Sequence, residues 1–247
     1  MPHHGLDLVD PDEPFTLADF VRETDRVLAR LAAEDRIALL VGGTGLYLRA
    51  VGQGLDVDAL PHDPVLRAAI EADLKRDGLP ALMERLRAIA PERAGEIDPK
   101  NPRRVVRALE IATLRGDTPI PEPRGYPGPI AWIGLRAELA AHRAWIATRA
   151  RAQFAAGLPD EAAALRARYD PSLPAFSAIG YREAWAVLDG KLGLEGAISL
   201  DTQRNLAFAK RQATWFRKET ALTWLDVTEG PPDEAALRIV EDLLASC

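Results

Sequence analysis

Several stretches of this chain carry residue types and spacings that could do chemistry, and most of them are cationic. The first is LLVGGTGLYLRA, residues 39–50, in which an apolar run ends in the turn Gly42–Gly45 and a helix-like segment follows. Ligands of open α/β sheets bind beyond the carboxyl ends of strands, and a helix N-terminus at that point favours anions. Thr44 occupies that place. No lysine follows the glycines, and GxxxxGK[ST] occurs nowhere in the chain, so the turn is not a Walker A loop. A plain tight turn accounts for the glycines equally well.

The second stretch is KNPRRVVR, residues 100–107, with four positive charges and no negative one. Arg103, Arg104 and Arg107 stand at i,i+3 and i,i+4 spacings, so they crowd one helix face and repel unless an anion joins them. A phosphate backbone would do so through bidentate guanidinium contacts; a solvated face paired to nearby glutamates would serve as well. The third runs from Gln203 to Lys218 and holds five positive residues, no acids, and the interleaved Trp215 and Phe216. Basic and aromatic residues together suit RNA or a diphosphate, while an amphipathic helix with its aromatics in the core accounts for part of the pattern. The fourth, FSAIGYRE at 176–183, has a glycine that permits close backbone approach, followed by Tyr181 and Arg182. A loop-to-helix junction explains it as readily. The fifth is Arg143, Arg149 and Arg151, which read either as surface arginines or as lid arginines directed at phosphate. His3 and His4 lie near Asp7, but no further His or Cys has ligand spacing, so no metal site is assigned.

These residues need elements to position them. Thr16 to Asp19 reads as a capping box that opens a helix, with Phe20, Val27 and Leu31 on one face. Ile37–Val41 is a short apolar run of the kind that forms a strand buried on both faces. Helix, strand, glycine turn and helix in succession indicate α/β. Beyond residue 58 the strand pattern stops. Asp63–Pro64 opens one helix, with Val65, Ile70 and Leu74 on a face; Leu79, Leu82, Leu86 and Ile89 mark a second; Val106, Leu109 and Leu114 mark a third that ends near Gly116. The segment TPIPEPRGYPGP, 118–129, is a hinge, and Ile130–Leu135 returns as a buried strand. Helices are expected at 138–156, 159–168, 181–189 and 201–219, then a strand at Leu222–Asp226 and a helix at 233–246. The organisation expected is an α/β core formed by 1–58 and 130–247, with an all-helical lobe, 59–129, inserted into it.

Composition narrows the partners. The 247 residues are 47% hydrophobic, enough for a core, and the net charge of −6 argues against general coating of nucleic acid while permitting a local basic groove. The one cysteine, Cys247, excludes a disulfide scaffold or zinc finger and suits a reducing cytoplasm. No apolar run approaches the roughly 18 residues of a membrane span, and the start has no signal-peptide layout.

Taken together, PHHGLDLVDPDEPFTLADFVR, LLVGGTGLYLRA, NPRRVVRALEIATLRG, FSAIGYREAWAVLDG and AKRQATWFRKE resemble the tRNA dimethylallyltransferase (tRNA isopentenyltransferase) family, in the family's order and over nearly the whole chain. The resemblance implies a P-loop-NTPase-like parallel core with an inserted tRNA-binding lobe. It also implies transfer of a dimethylallyl group from its diphosphate to the exocyclic amine of the adenosine 3′ of the tRNA anticodon. Magnesium is the family cofactor and the anticodon stem-loop the partner, in a cytoplasmic monomer with no membrane association. The family's phosphate loop and its general-base aspartate precede the first matching stretch, so no catalytic residue is assigned here. The chain resembles a member lacking that portion, and both impaired transfer and low stability are expected.

Carried over by motif, Thr44 and Arg67 would meet the flipped base or the tRNA. Arg103, Arg104 and Arg107 would hold RNA, and Ile179, Gly180, Tyr181 and Arg182 would line the tRNA side of the channel. Lys210, Arg211 and Gln212 would lie at the diphosphate end, with Arg143 and Arg149 as further diphosphate ligands. Two positions depart from the family pattern. Arg103 stands where glutamine is usual, and Asn205-Leu206 where Thr-Arg is common; if that arginine binds the donor, either Arg204 replaces it or donor binding is weaker. The alternatives are a tRNA-binding chain without chemistry and an adenylate isopentenyltransferase acting on free nucleotide.

Overall fold

A computed structural model describes residues 2–57, 59–119 and 121–245. Cys247, the last residue of the expected terminal helix and the expected boundary at residue 58 lie outside the described residues. In chain order the elements are α1 (Leu17–Ala33), α2 (Gly45–Gly52), α3 (Pro64–Ile89), α4 (Pro91–Glu96), α5 (Pro102–Arg115), β1 (Trp132–Arg136), α6 (Leu139–Ala155), α7 (Leu158–Arg168), a single 3₁₀ turn (Pro174–Ser177), α8 (Tyr181–Leu188), α9 (Leu194–Phe216), β2 (Leu222–Asp226) and α10 (Asp233–Ala245). They form two compact units, one of residues 1–52 with 126–247 and the other of residues 53–125.

In the first unit, Thr16 caps α1 reciprocally with Asp19, as its spacing predicts. β1 and β2 pair in parallel from Trp132 opposite Leu222 to Arg136 opposite Asp226. Gly134 faces Trp224 across this ladder, where any side chain would strike the indole. The core lies among α6, α7, α8 and α9: Phe154, Ala162, Phe176, Trp185 and Ile198 pack together, and the Trp185 indole N–H donates to the Ala162 carbonyl at 2.7 Å. Phe176 sits at its centre, 5.3 Å from the ring of Trp185 and 5.7 Å from that of Tyr181.

Two expected strands differ from the sequence reading. Ile37–Val41 is no strand, and Ile37, Leu39 and Val41 are 56%, 72% and 81% exposed. An apolar run becomes a strand only beside a partner, and among the described residues β1 and β2 pair solely with each other. β1 is likewise half-exposed rather than buried, because a two-stranded sheet has two edges and no covering layer on every face.

In the second unit, α3, α4 and α5 close around Ile70, Leu82, Met83, Leu86, Val105, Val106 and Leu109. Asp63 caps α3 by accepting from the N–H groups of Val65 and Leu66, with Pro64 in the first helical position. Gly78, at φ +81°, breaks α3 and Pro80 restarts it, so the two expected helices meet at one kink. Gly116, at φ +66°, ends α5. The chain enters and leaves this unit side by side: Arg124 N–H donates to the Gly54 carbonyl at 3.0 Å and Gly125 N–H to the Gln53 carbonyl at 2.9 Å.

Candidate anion and nucleic-acid interfaces

The glycine turn of the first unit is built against α9. Gln212 donates its side-chain N–H to the Gly43 carbonyl at 3.0 Å, and a Cβ on Gly43 would displace that amide. A Cβ on Gly45 would overlap the Trp215 indole. Both glycines therefore serve close helix approach as well as the turn. Arg49 of α2 lies over the Trp215 ring at 4.9 Å and pairs with Glu219. The result leaves Thr44 exposed at the N-terminus of α2, its carbonyl accepting from Tyr47 N–H at 2.9 Å. Thr44 and Gln212, far apart in sequence, are thus brought to one place. Lys210 and Arg211, which immediately precede Gln212 on α9, are exposed, and Arg211 lies 5.6 Å from the ring of Phe208.

A second cluster surrounds the N-terminus of α8. Gly180, at φ +116°, is buried and donates its N–H to Glu183 at 2.9 Å. A Cβ there would lie 3.1 Å from Leu158 and 3.4 Å from the Asp201 carboxylate. Glu183 is buried and its other oxygen receives Arg204. Asp201, fully buried, accepts from the Asn205 amide at 2.8 Å through Oδ1, while Oδ2 has no partner. Burial pushes the Asp201 carboxyl up, against the Asn205 hydrogen bond and with help from the neighbouring Glu183 charge. Arg149 donates to the side-chain Oδ1 of Asn205 at 3.3 Å. Tyr181 donates its hydroxyl to Glu161 at 2.7 Å; burial first, then Glu161, pushes the phenol up to about 12. Ile179 is half-buried and Arg182 exposed at this helix start. Arg143 is exposed, and Arg151 forms a bidentate pair with Glu195. His4 meets Arg30 at 3.3 Å.

In the second unit, Glu110 gathers the basic residues. It is fully buried and takes donors from four directions: Arg107 at 2.7 Å, Arg67 at 2.5 and 3.1 Å, the Asp63 N–H at 3.0 Å and His62 Nδ1 at 2.9 Å. Burial would push this carboxyl up, but the donors, Arg107 foremost, outweigh it and hold it at about 2. Arg107 also donates to the Pro61 carbonyl at 2.9 Å, and Arg115 to that of Ala59 at 2.7 Å, so the 59–63 segment is strapped along α5. Arg103 and Arg104 are exposed on the first turn of α5, with no acidic partner among the described residues. The crowded face read from sequence is thus divided, with Arg107 paired inward and Arg103 and Arg104 open.

Sequence reasoning missed Glu110, Glu183 and Asp201. Glu110 stands three residues after Arg107 and Glu183 three after Gly180, the spacings of a helical ion pair and of an N-terminal capping glutamate. Asp201 left no such signal.

These features define an α/β protein with cationic surfaces on two separate units, suited to a polyanionic ligand. The IPP transferase family model matches residues 1–219. The chain is 45% identical to the tRNA dimethylallyltransferase of Anaeromyxobacter dehalogenans (strain 2CP-C), over 97% of this chain and 81% of that protein. It is similar to the crystal structure of the full-length tRNA isopentenylpyrophosphate transferase from Bacillus halodurans, with a TM-score of 0.67, 35% identity, and coverage of 99% of this chain and 78% of that one. A eukaryotic dimethylallyltransferase acting on tRNA shares the fold, with a TM-score of 0.76 at 19% identity over 96% of this chain and 64% of that one. The chain belongs to the IPP transferase family.

Proposed function

We propose that this chain transfers a dimethylallyl group from dimethylallyl diphosphate to the exocyclic amine of the adenosine 3′ of a tRNA anticodon. The observation that carries this reading is the continuous family match, which takes in the glycine turn, the arginine face of α5, the start of α8 and the AKRQ segment of α9. A C–N bond forms at the amine, the carbon–oxygen bond to the diphosphate breaks, the electron pair leaves with the diphosphate, and the amine loses a proton. In this reading Lys210, Arg211 and Gln212 face the diphosphate, with Arg143 and Arg149 as further cations; preset cationic groups stabilise charge on a leaving phosphate. Thr44 meets the flipped base. Ile179, Gly180, Tyr181 and Arg182 line the tRNA side, and Arg67, Arg103, Arg104 and Arg107 belong to the RNA-binding unit. Arg204 is held by Glu183, which favours a supporting role over that of a replacement donor ligand.

Tyr181 stays a neutral hydroxyl near neutral pH, so it offers hydrogen bonding rather than charge. The family implies magnesium, yet no three His, Cys, Asp or Glu side chains converge among the described residues, which do not fit a resident ion by themselves. The protein is inferred to act as a monomer in the cytoplasm; no helix of the described residues is long and apolar enough to cross a membrane.

Incubation with labelled dimethylallyl diphosphate, magnesium and tRNA, with and without excess AMP, tests the reading. Label on tRNA that resists AMP is expected. Label on AMP would favour an adenylate isopentenyltransferase, and tRNA bound without transfer would reduce the chain to a binding protein.

A further inference from the structure

The arginines of the helical unit are unequal in their surroundings. Arg67 donates Nε and Nη2 to Glu110 and leaves Nη1 without a partner among the described residues, with 36% of its side chain exposed. Arg107 engages both Nη atoms, with Glu110, Pro61 and Leu60, and keeps 31% of its side chain exposed. Glu110 itself reaches no solvent. Its carboxylate therefore fixes two guanidinium planes at the surface while staying hidden from any ligand. Arg103 and Arg104 have no such tether. A fixed planar fork meets a phosphate with less ordering cost than a free side chain, and is the more sensitive to geometry.

We propose that Glu110 is a positioning residue for RNA binding: it holds the guanidinium groups of Arg67 and Arg107 in place for the tRNA, whereas Arg103 and Arg104 contribute mobile positive charge. The inference rests on the tRNA reading above. It makes a prediction opposite in sign to simple charge counting. Removing a negative charge beside a polyanion site should tighten binding if Glu110 merely neutralises the arginines. If Glu110 positions them, its removal weakens binding.

The test is titration of a tRNA anticodon stem-loop with the full chain, following dissociation constant, stoichiometry and salt dependence. Glu110→Gln and Arg67→Lys are each expected to raise Kd about tenfold, with the double variant no weaker than either alone, since both disrupt one unit. Arg67→Lys keeps its charge and spares the buried position, so it stands as the test where Glu110→Gln folds poorly. Arg103→Ala with Arg104→Ala should reduce the steepness of log K against log salt by about 1.5. A merely structural Glu110 would lower the stoichiometry of competent protein and leave Kd alone. Unchanged or tighter Kd in Glu110→Gln or Arg67→Lys, or losses that add, would overturn the proposal while the tRNA reading stands. No binding by the unaltered chain would remove both.

Discussion

Glu110 in the helical unit and Asp201 in the α/β unit are both fully buried carboxylates, and they differ in almost every other respect. Glu110 receives two arginines, a histidine and a backbone N–H, and its carboxyl is held at about 2. Asp201 has one amide donor, an unpartnered oxygen and a neighbouring glutamate, and burial pushes its carboxyl up. The contrast teaches that burial alone does not decide what an acid does. Its donors decide whether it stores charge at a surface or resists charging in a core.

The largest expected effect is that of Glu110→Ala. It removes the shared acceptor of Arg67, Arg107, His62 and the Asp63 N–H, while Arg107 keeps the Pro61 and Leu60 carbonyls and both guanidinium groups still reach solvent, so the loss is about 3 kcal/mol; urea unfolding followed by circular dichroism would measure it. An effect below about 1 kcal/mol would erase the contrast. Next comes Arg204→Ala, which removes the cation from buried Glu183 but leaves it the Gly180 N–H, for about 1–3 kcal/mol in the same assay. The pH dependence follows with opposite signs. Glu110's folded value lies below its ordinary 4.5, so its stabilisation is present above that value and is lost as pH falls towards about 2. Asp201's folded value lies above its ordinary 3.8, so stability falls as pH rises from that value through the raised one. Thermal unfolding of Asp201→Asn against the unaltered chain should therefore show a difference favouring Asn that grows with pH. At neutral pH this smallest effect is a melting temperature unchanged or slightly higher, whereas a marked drop would show that the Asp201 charge is needed.

Local rules carried much of the fold. The Thr16–Asp19 box, the Asp63–Pro64 start and Gly116 at the end of α5 depend on near neighbours and read directly from the sequence; the run at Leu222–Asp226 reads as a strand too, and it is one because Trp132–Arg136 lies beside it. Ile37–Val41 is not one, because a strand needs a partner that periodicity cannot supply. The arginine face of α5 was legible as a cluster. Its division was not, since Arg67 and His62 reach Glu110 from 43 and 48 residues away. Likewise, GGTG and Gln212 announced themselves as separate motifs, but their hydrogen bond joins residues 169 apart.

Modification of tRNA at one defined nucleoside can be read by mass spectrometry of nucleosides from an unmodified tRNA transcript incubated with the chain, dimethylallyl diphosphate and magnesium. A single dimethylallyl group is expected, on the adenosine immediately 3′ of the anticodon. A transcript recovered without that group would contradict that expectation, as would one carrying the group elsewhere.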